Sequence, residues 1–489
     1  MTATTDRRLD VPRAWIDESA RRSNGTTLSL VALSGAIVVG VALLGVAATS
    51  GPVVGFLALG VAVAVAIVVA RPETAGVILV GILPAVSGIA RGFPIPGLRI
   101  SELLVAFCGF VALTVGRDHD APRWSAVEWS LLAYAVTTLV MGAIGVYRNA
   151  IPAGYDTIAG LIGPFQFVLL LRAVTVSLGS PDRRRSAMQL LVLTSIPVSL
   201  LAIAQYFKLL GVDTTLEQFT SDQFAYFGGF LEARATGPFE HWHLLAGYLL
   251  VVELVAVDAL LQGGRWLARP LLWLSVLLGV AAMLLTLTFT TFLMGVAAVV
   301  VIAFIRGQAT RVVAVGASLL IPLFFLFAPY VGGRIEEQFT PASTSSGTSF
   351  VPESIAYRFN VWGDEYLPAL KGRVLLGYGS PVPPDVGWPY AESLYIELLL
   401  RGGLFLLLAY VAYTLLAVGA GRRGAARDEP ALASAGLAVA VLMVLLIPMH
   451  TVFPYFSTTG LPHALVAVTG VLLAGIGTRT GRDLPVDLR

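Results

Sequence analysis

Apolar runs long enough to cross a lipid bilayer recur from residue 27 to residue 478, and the short breaks between them hold most of the arginines. Crossing the hydrocarbon core as a helix takes about 20 mostly apolar residues, and roughly 17 suffice. By that measure the runs fall at 27–48, 52–70, 74–90, 100–116, 125–146, 156–174 and 186–206. They continue at 242–261, 269–286, 288–306, 311–330, 394–418, 431–449 and 463–478. The expected fold class is all-α: a polytopic integral membrane protein with about fourteen transmembrane helices and one large extracytoplasmic loop. Pro84 interrupts the 74–90 run, and a tight turn is expected across Thr286 to Thr291, because 269–306 is too long for one crossing. Composition agrees, since 13% of the 489 residues are charged, against about 25% in a soluble domain.

Arginine placement sets the expected orientation, because short cytoplasmic loops collect positive charge. With the N-terminus inside, the inside loops carry Arg71, Arg117 with Arg123, Arg172 with Arg183 to Arg185, Arg265 with Arg269, Arg306 with Arg311, and Arg422, Arg423 and Arg427. Both termini are then cytoplasmic. The segment Met1 to Asn24 is polar and charged, and the first apolar run after it is long enough to span, so it does not read as a secretory signal. The regions expected are a cytoplasmic tail at 1–26, N-terminal transmembrane helices at 27–206, a central region at 207–418 with an outside loop at 331–393, and C-terminal helices with a cytoplasmic tail at 419–489. A single cysteine, Cys108, excludes a multi-cysteine metal site and an intrachain disulfide, and its apolar surroundings make it small filler.

Polar chemistry gathers in two of the expected outside loops. The first holds Arg234, Gly237, His241, Trp242 and His243. A guanidinium presents a fork of donors that matches phosphate oxygens and stays charged at any relevant pH; it also serves as an interfacial anchor, with Trp242 in an aromatic belt. The second holds Arg358 and Trp362 at a spacing of four, as on a surface-lying amphipathic helix, then Gly377 and Gly379 in Leu376-Gly-Tyr-Gly-Ser380, where glycine permits sharp turns and close approach to a ligand. Glu392 follows at the mouth of the 394–418 run, with Tyr395 just inside. A carboxylate there can accept a proton as general base or cap a helix N-terminus. Glu397 is placed to pair with Arg401 one turn on. His241 and His243 are two apart, a poor spacing for one helical face, so no metal site is expected.

From roughly Gln205 to Val418 the chain resembles the O-antigen ligase and O-antigen polymerase superfamily of bacterial envelope enzymes. The resemblance rests on Arg234-Ala-Thr-Gly237-Pro-Phe before a span, the Thr-rich helix break of Leu285 to Gly295, Arg358 to Trp362 followed by Leu376-Gly-Tyr-Gly379, and the re-entering segment Ala391 to Gly403. It implies transfer of a polyprenyl-diphosphate-linked glycan to a glycan or lipid acceptor at the outer face of the plasma membrane. No cofactor, metal or nucleic acid is implied; membrane lipid and other polysaccharide-assembly proteins are the implied company. By the same resemblance Arg234 and Arg358 would hold the diphosphate, with His241, His243, Trp362, Gly377, Gly379 and Tyr395 as candidate substrate contacts. Ligases usually show histidine-asparagine where Glu392-Ser393 stands here, so Glu392 would be the base, with His241 or His243 behind it. The competing class is a transporter or flippase of lipid-linked oligosaccharide. Such a protein is expected to place acids near the bilayer midplane, and Glu253, Asp258 and Glu397 lie well within the later runs.

Overall fold

The structure is a computed structural model. It describes residues 52–89, 91, 98–115, 122–149, 154–216, 234–318, 353–380 and 391–477, with single positions at 321, 325, 328 and 332. All regular elements among these residues are helical. The chain divides into two compact units, one up to Thr74 and one from Ala75 onward. In the first unit, helix α1 (Pro52–Ala70) is apolar on every face and gives way to a single turn, Pro72–Thr74, where the Thr74 hydroxyl donates to the Arg71 carbonyl at 2.7 Å.

The second unit contains α2 (Ala75–Gly81), α3 (Leu83–Val86), α4 (Ile100–Thr114), α5 (Ala126–Arg148), α6 (Tyr155–Ile162), α7 (Phe165–Ser177) and α8 (Pro181–Tyr206). After them come α9 (Trp242–Leu261), α10 (Arg269–Leu285), α11 (Phe289–Ile305), α12 (Glu353–Val361), α13 (Leu394–Ala425), α14 (Pro430–Met449) and α15 (Leu461–Gly477). Helix α9 is the centre. It packs against α8, α10, α11, α14 and α15 and is buried along almost its whole length.

The expectation of about fourteen spans is overturned. Among the described residues, 5 helices are long and apolar enough to cross a membrane: α5, α8, α9, α13 and α14. This is a multi-pass membrane protein, and its described residues hold fewer long apolar helices than the apolar runs imply. Helices α10, α11 and α15 have 17 residues each, or about 26 Å at 1.5 Å per residue, at the lower limit of what crosses the core. The physical reason is that hydropathy does not register breaks in hydrogen bonding. The 74–90 run divides at Ile82, just before Pro84, and the 156–174 run divides at Gly163-Pro164; proline lacks the amide that would continue each helix. Between α10 and α11 the expected turn is present, with Leu287 in the left-handed region at φ 52°. The run at 27–48 lies outside the described residues, as do nine of the twenty residues of 311–330.

Helix direction sorts the loops to two ends of the second unit. At one end buried or half-buried ion pairs tie neighbouring elements: Arg172 with Glu128 at 3.1 Å, Arg184 with Glu429 at 2.6 Å, and Arg306 with Asp258 at 2.7 Å. The other end receives 234–241, 286–288, 353–380, 391–393 and 450–460, the loops joined to one another by the contacts below.

Candidate functional site

Arg234 stands at the start of a segment whose backbone is held on both sides. The Ala235 amide donates to the Leu285 carbonyl at 3.0 Å, and Gln205 Oε1 accepts from the Thr236 and Gly237 amides at 2.8 and 2.9 Å. Gly237 takes φ 52°, which turns the chain so that Phe239 is fully buried and the Glu240 amide reaches the Gly88 carbonyl at 2.7 Å. Arg99 pairs with Glu240 at 3.1 Å. The Arg234 guanidinium lies over the Trp242 ring, 4.6 Å from its centroid, a cation–π contact that fixes the position of the charge.

His241 caps α9, its Nδ1 accepting from the His243 amide at 3.3 Å. That assigns the proton to Nε2 in the neutral ring. Burial, reinforced by the Arg234 charge, pushes the His241 imidazole down to about 3. The rings then run on as a column: His243 stacks on Phe453 at 4.2 Å, and Phe453 meets Tyr455 edge-on at 4.8 Å. Tyr455 shares a hydrogen bond of 2.6 Å with Thr291 Oγ1 at the head of α11. Its phenol is pushed up to about 12 by burial, opposed by the Thr291 hydrogen bond and by the Arg358 charge.

Arg358 projects from α12 and meets Glu392, Nε to Oε2 at 2.7 Å, with both side chains partly exposed. Glu392 is not a helix cap. Ser393 occupies the N-cap of α13, and Glu392 precedes it in the left-handed region at φ 48°, a conformation that costs a non-glycine residue about 1–3 kcal/mol. Neighbours hold it there: Trp362 Nε1 donates to the Ala391 carbonyl at 3.1 Å, and the Leu394 amide donates to the His450 carbonyl at 2.9 Å. Trp362 opens a wide π-type turn, Trp362–Tyr366, which seats α12 on an apolar cluster of Tyr366, Leu370, Ala391, Ile396 and Leu400.

Other sequence candidates have structural positions. Gly377 and Gly379, at φ 65° and 104°, wedge the chain between α5 and a break in α13. A side chain on Gly377 would meet the Leu399 and Leu400 carbonyls, and one on Gly379 would meet Gly145. The Tyr378 amide donates to the Leu400 carbonyl at 2.6 Å, and Asn149 Nδ2 donates to the Tyr378 carbonyl at 2.9 Å. Tyr395 turns to α14, donating to the Ile447 carbonyl at 2.7 Å near that helix's C-terminus. Glu397 does pair with Arg401, at 2.7 Å, and also accepts from Ser457 at 2.8 Å.

No family model matches the chain, and no curated protein matches it either. Its chemistry therefore rests on its own residues. Arg234, His241, His243, Trp362, Arg358 and Glu392 come to one end of the bundle; Gly377, Gly379 and Tyr395 serve the surrounding scaffold. Sequence reasoning missed Phe453, Tyr455 and Thr291, which link the His243 ring to the head of α11. The aromatic run Phe453-Pro-Tyr455-Phe456 was the available signal. Among the described residues no group of three or more histidine, cysteine or acidic side chains is placed to hold a metal ion.

Proposed function

We propose that this protein transfers a polyprenyl-diphosphate-linked glycan to an acceptor glycan or lipid at the outer face of a bacterial plasma membrane, as a polysaccharide polymerase or ligase. In this reading the end bearing Arg234 and Arg358 faces outward and both termini are cytoplasmic. The observation that carries it is the placement of two arginines at one end of the bundle, Arg234 over the Trp242 ring and Arg358 paired with Glu392. Two fixed cations suit a diphosphate. In the transfer, the acceptor oxygen bonds to the anomeric carbon as the carbon–oxygen bond to the diphosphate breaks. The bonding pair leaves with the diphosphate, where the guanidiniums offset the growing charge. The hydroxyl proton passes to Glu392, the carboxylate nearest Arg358. His241 is a poorer base, because its Nδ1 is engaged and its ring holds a proton only weakly.

The test is a deletion strain with lipid-linked glycans and surface polysaccharide profiled together. Single repeat units piling up on the carrier indicate a polymerase, and long chains that never leave the carrier indicate a ligase. Unchanged profiles, or units trapped on the cytoplasmic face, overturn the reading. One observation favours the transporter or flippase class: Glu253 in α9 is 5% exposed, and neither carboxyl oxygen has a hydrogen-bond partner among the described residues. Acids in that position commonly mark transport paths.

A further inference from the structure

At the end of the second unit opposite the candidate site, a cavity of about 180 Å³ opens between α5, α7, α13 and α15. Its lining is split. Arg123 and Arg423 supply charge, while Leu415, Leu416, Leu473 and Ile476 supply an apolar wall. Leu415 is 63% exposed on the outside of α13, so that wall is continuous with the surface that meets lipid tails. Glu128 also lines the cavity, but its carboxylate is already engaged, with Arg172 at 3.1 Å and with the Ser125 amide. No acid among the described residues neutralises Arg123 or Arg423. Beside them Trp124 and Trp129 pack at 5.1 Å and are exposed, and the Arg172 guanidinium lies over Trp124. Exposed tryptophans next to arginines mark the depth of lipid headgroups.

We infer that this cavity is a binding site for an anionic phospholipid, its phosphate held by Arg123 and Arg423 and the upper part of an acyl chain lying along Leu415, Leu416 and Ile476. Among the described lining residues the two arginines outnumber the one acid, and the open side is apolar, which matches a headgroup with a tail better than a soluble anion. Arginine pairs a phosphate with two parallel donors, so the headgroup is oriented as well as attracted. Lipid held here would brace α5 against α13, whose other end is joined to the Gly377–Gly379 wedge.

Full-length protein in detergent is exchanged against mixed micelles holding equal phosphatidylglycerol and phosphatidylcholine, and bound lipid is counted by native mass spectrometry. Phosphatidylglycerol is expected to be retained over phosphatidylcholine. Removing both charges in an Arg123→Ala, Arg423→Ala variant should weaken its retention roughly thirtyfold, whereas Arg123→Lys with Arg423→Lys should keep most of it. Equal retention of the two lipids by the unaltered protein overturns the proposal even if the alanine variant fails to fold. So does equal retention of phosphatidylglycerol by a folded alanine variant. Displacement of phosphatidylglycerol by inorganic phosphate alone would assign the site to a free anion instead.

Discussion

Arg358 and Glu392 form an ion pair at 2.7 Å, so the cation best placed for a diphosphate and the carboxylate best placed as base occupy one another. Within the proposed function this makes a latch. A donor diphosphate that takes Arg358 releases Glu392 for the acceptor hydroxyl.

The latch separates binding from chemistry. Glu392→Gln should slow transfer by a factor of about 10²–10⁴, yet bind a non-hydrolysable polyprenyl diphosphonate at least as tightly as the unaltered protein. Arg358→Ala should lose both. Isothermal titration with the diphosphonate and a turnover assay read the two effects apart; a Glu392→Gln protein with normal turnover removes Glu392 from the reaction.

His241 and His450 lie outside the spanning helices, and burial pushes both imidazoles down to about 3; Arg234 adds to the effect at His241. Each ring is neutral when folded and gains a proton more readily when unfolded. Their contribution to stability is thus full above the ordinary histidine value and is lost as pH falls from about 6.5 toward 3. Melting curves in detergent between pH 7 and pH 4 should show a shallower acid loss for His241→Gln than for the unaltered protein. Parallel curves would refute the assignment.

Gly377, Gly379 and Gly403 should act through folding. Gly403 adopts φ 63° and ψ −158° inside α13, and a side chain there would meet the Leu375 carbonyl. Gly403→Ala should cost about 1–3 kcal/mol or more, seen as a lower melting temperature and less monodisperse protein by size exclusion. Gly377→Ala should behave alike, with activity per folded molecule unchanged. A selective rise in donor KM without loss of fold would return Gly377 to the substrate contacts.

Arg306 grips Asp258 through two nitrogens, at 2.7 and 2.9 Å, and the Asp258 side chain has no exposure. Removing one partner strands the other charge. Arg306→Met should therefore destabilise the bundle by about 3–5 kcal/mol, measured as a fall in thermal midpoint, with no change in donor binding by the fraction that remains folded.

Glu253 separates the two functional classes. It lies 12 residues along α9 from His241, or about 18 Å, and its carboxyl packs on Gly279. Glu253→Gln should leave glycan transfer intact if the protein is a transferase. Loss of lipid-linked glycan on the outer face, with Arg358→Ala silent, would favour the transport reading.

Much of this protein was legible residue by residue. Apolar runs announce a helical membrane protein because burial in lipid needs only composition and length, both local properties. The Glu397–Arg401 pair was legible for a similar reason, since four residues make one helical turn. The turn at Thr286 to Thr291 was legible because one crossing cannot hold a run that long. Continuity of the crossings was not. Whether Gly163-Pro164 kinks a helix or divides it depends on which neighbours satisfy the freed carbonyls, and Gly403 breaks α13 only because the Gly377 turn packs into the gap. The candidate site was partly visible as arginines, histidines and an acid in separate loops. That Glu392 answers Arg358, and that Phe453 and Tyr455 continue the rings from His243, was decided in three dimensions. Those contacts join elements far apart in the chain, and no periodicity within a window can specify which loop ends meet when helices of fixed length pack side by side.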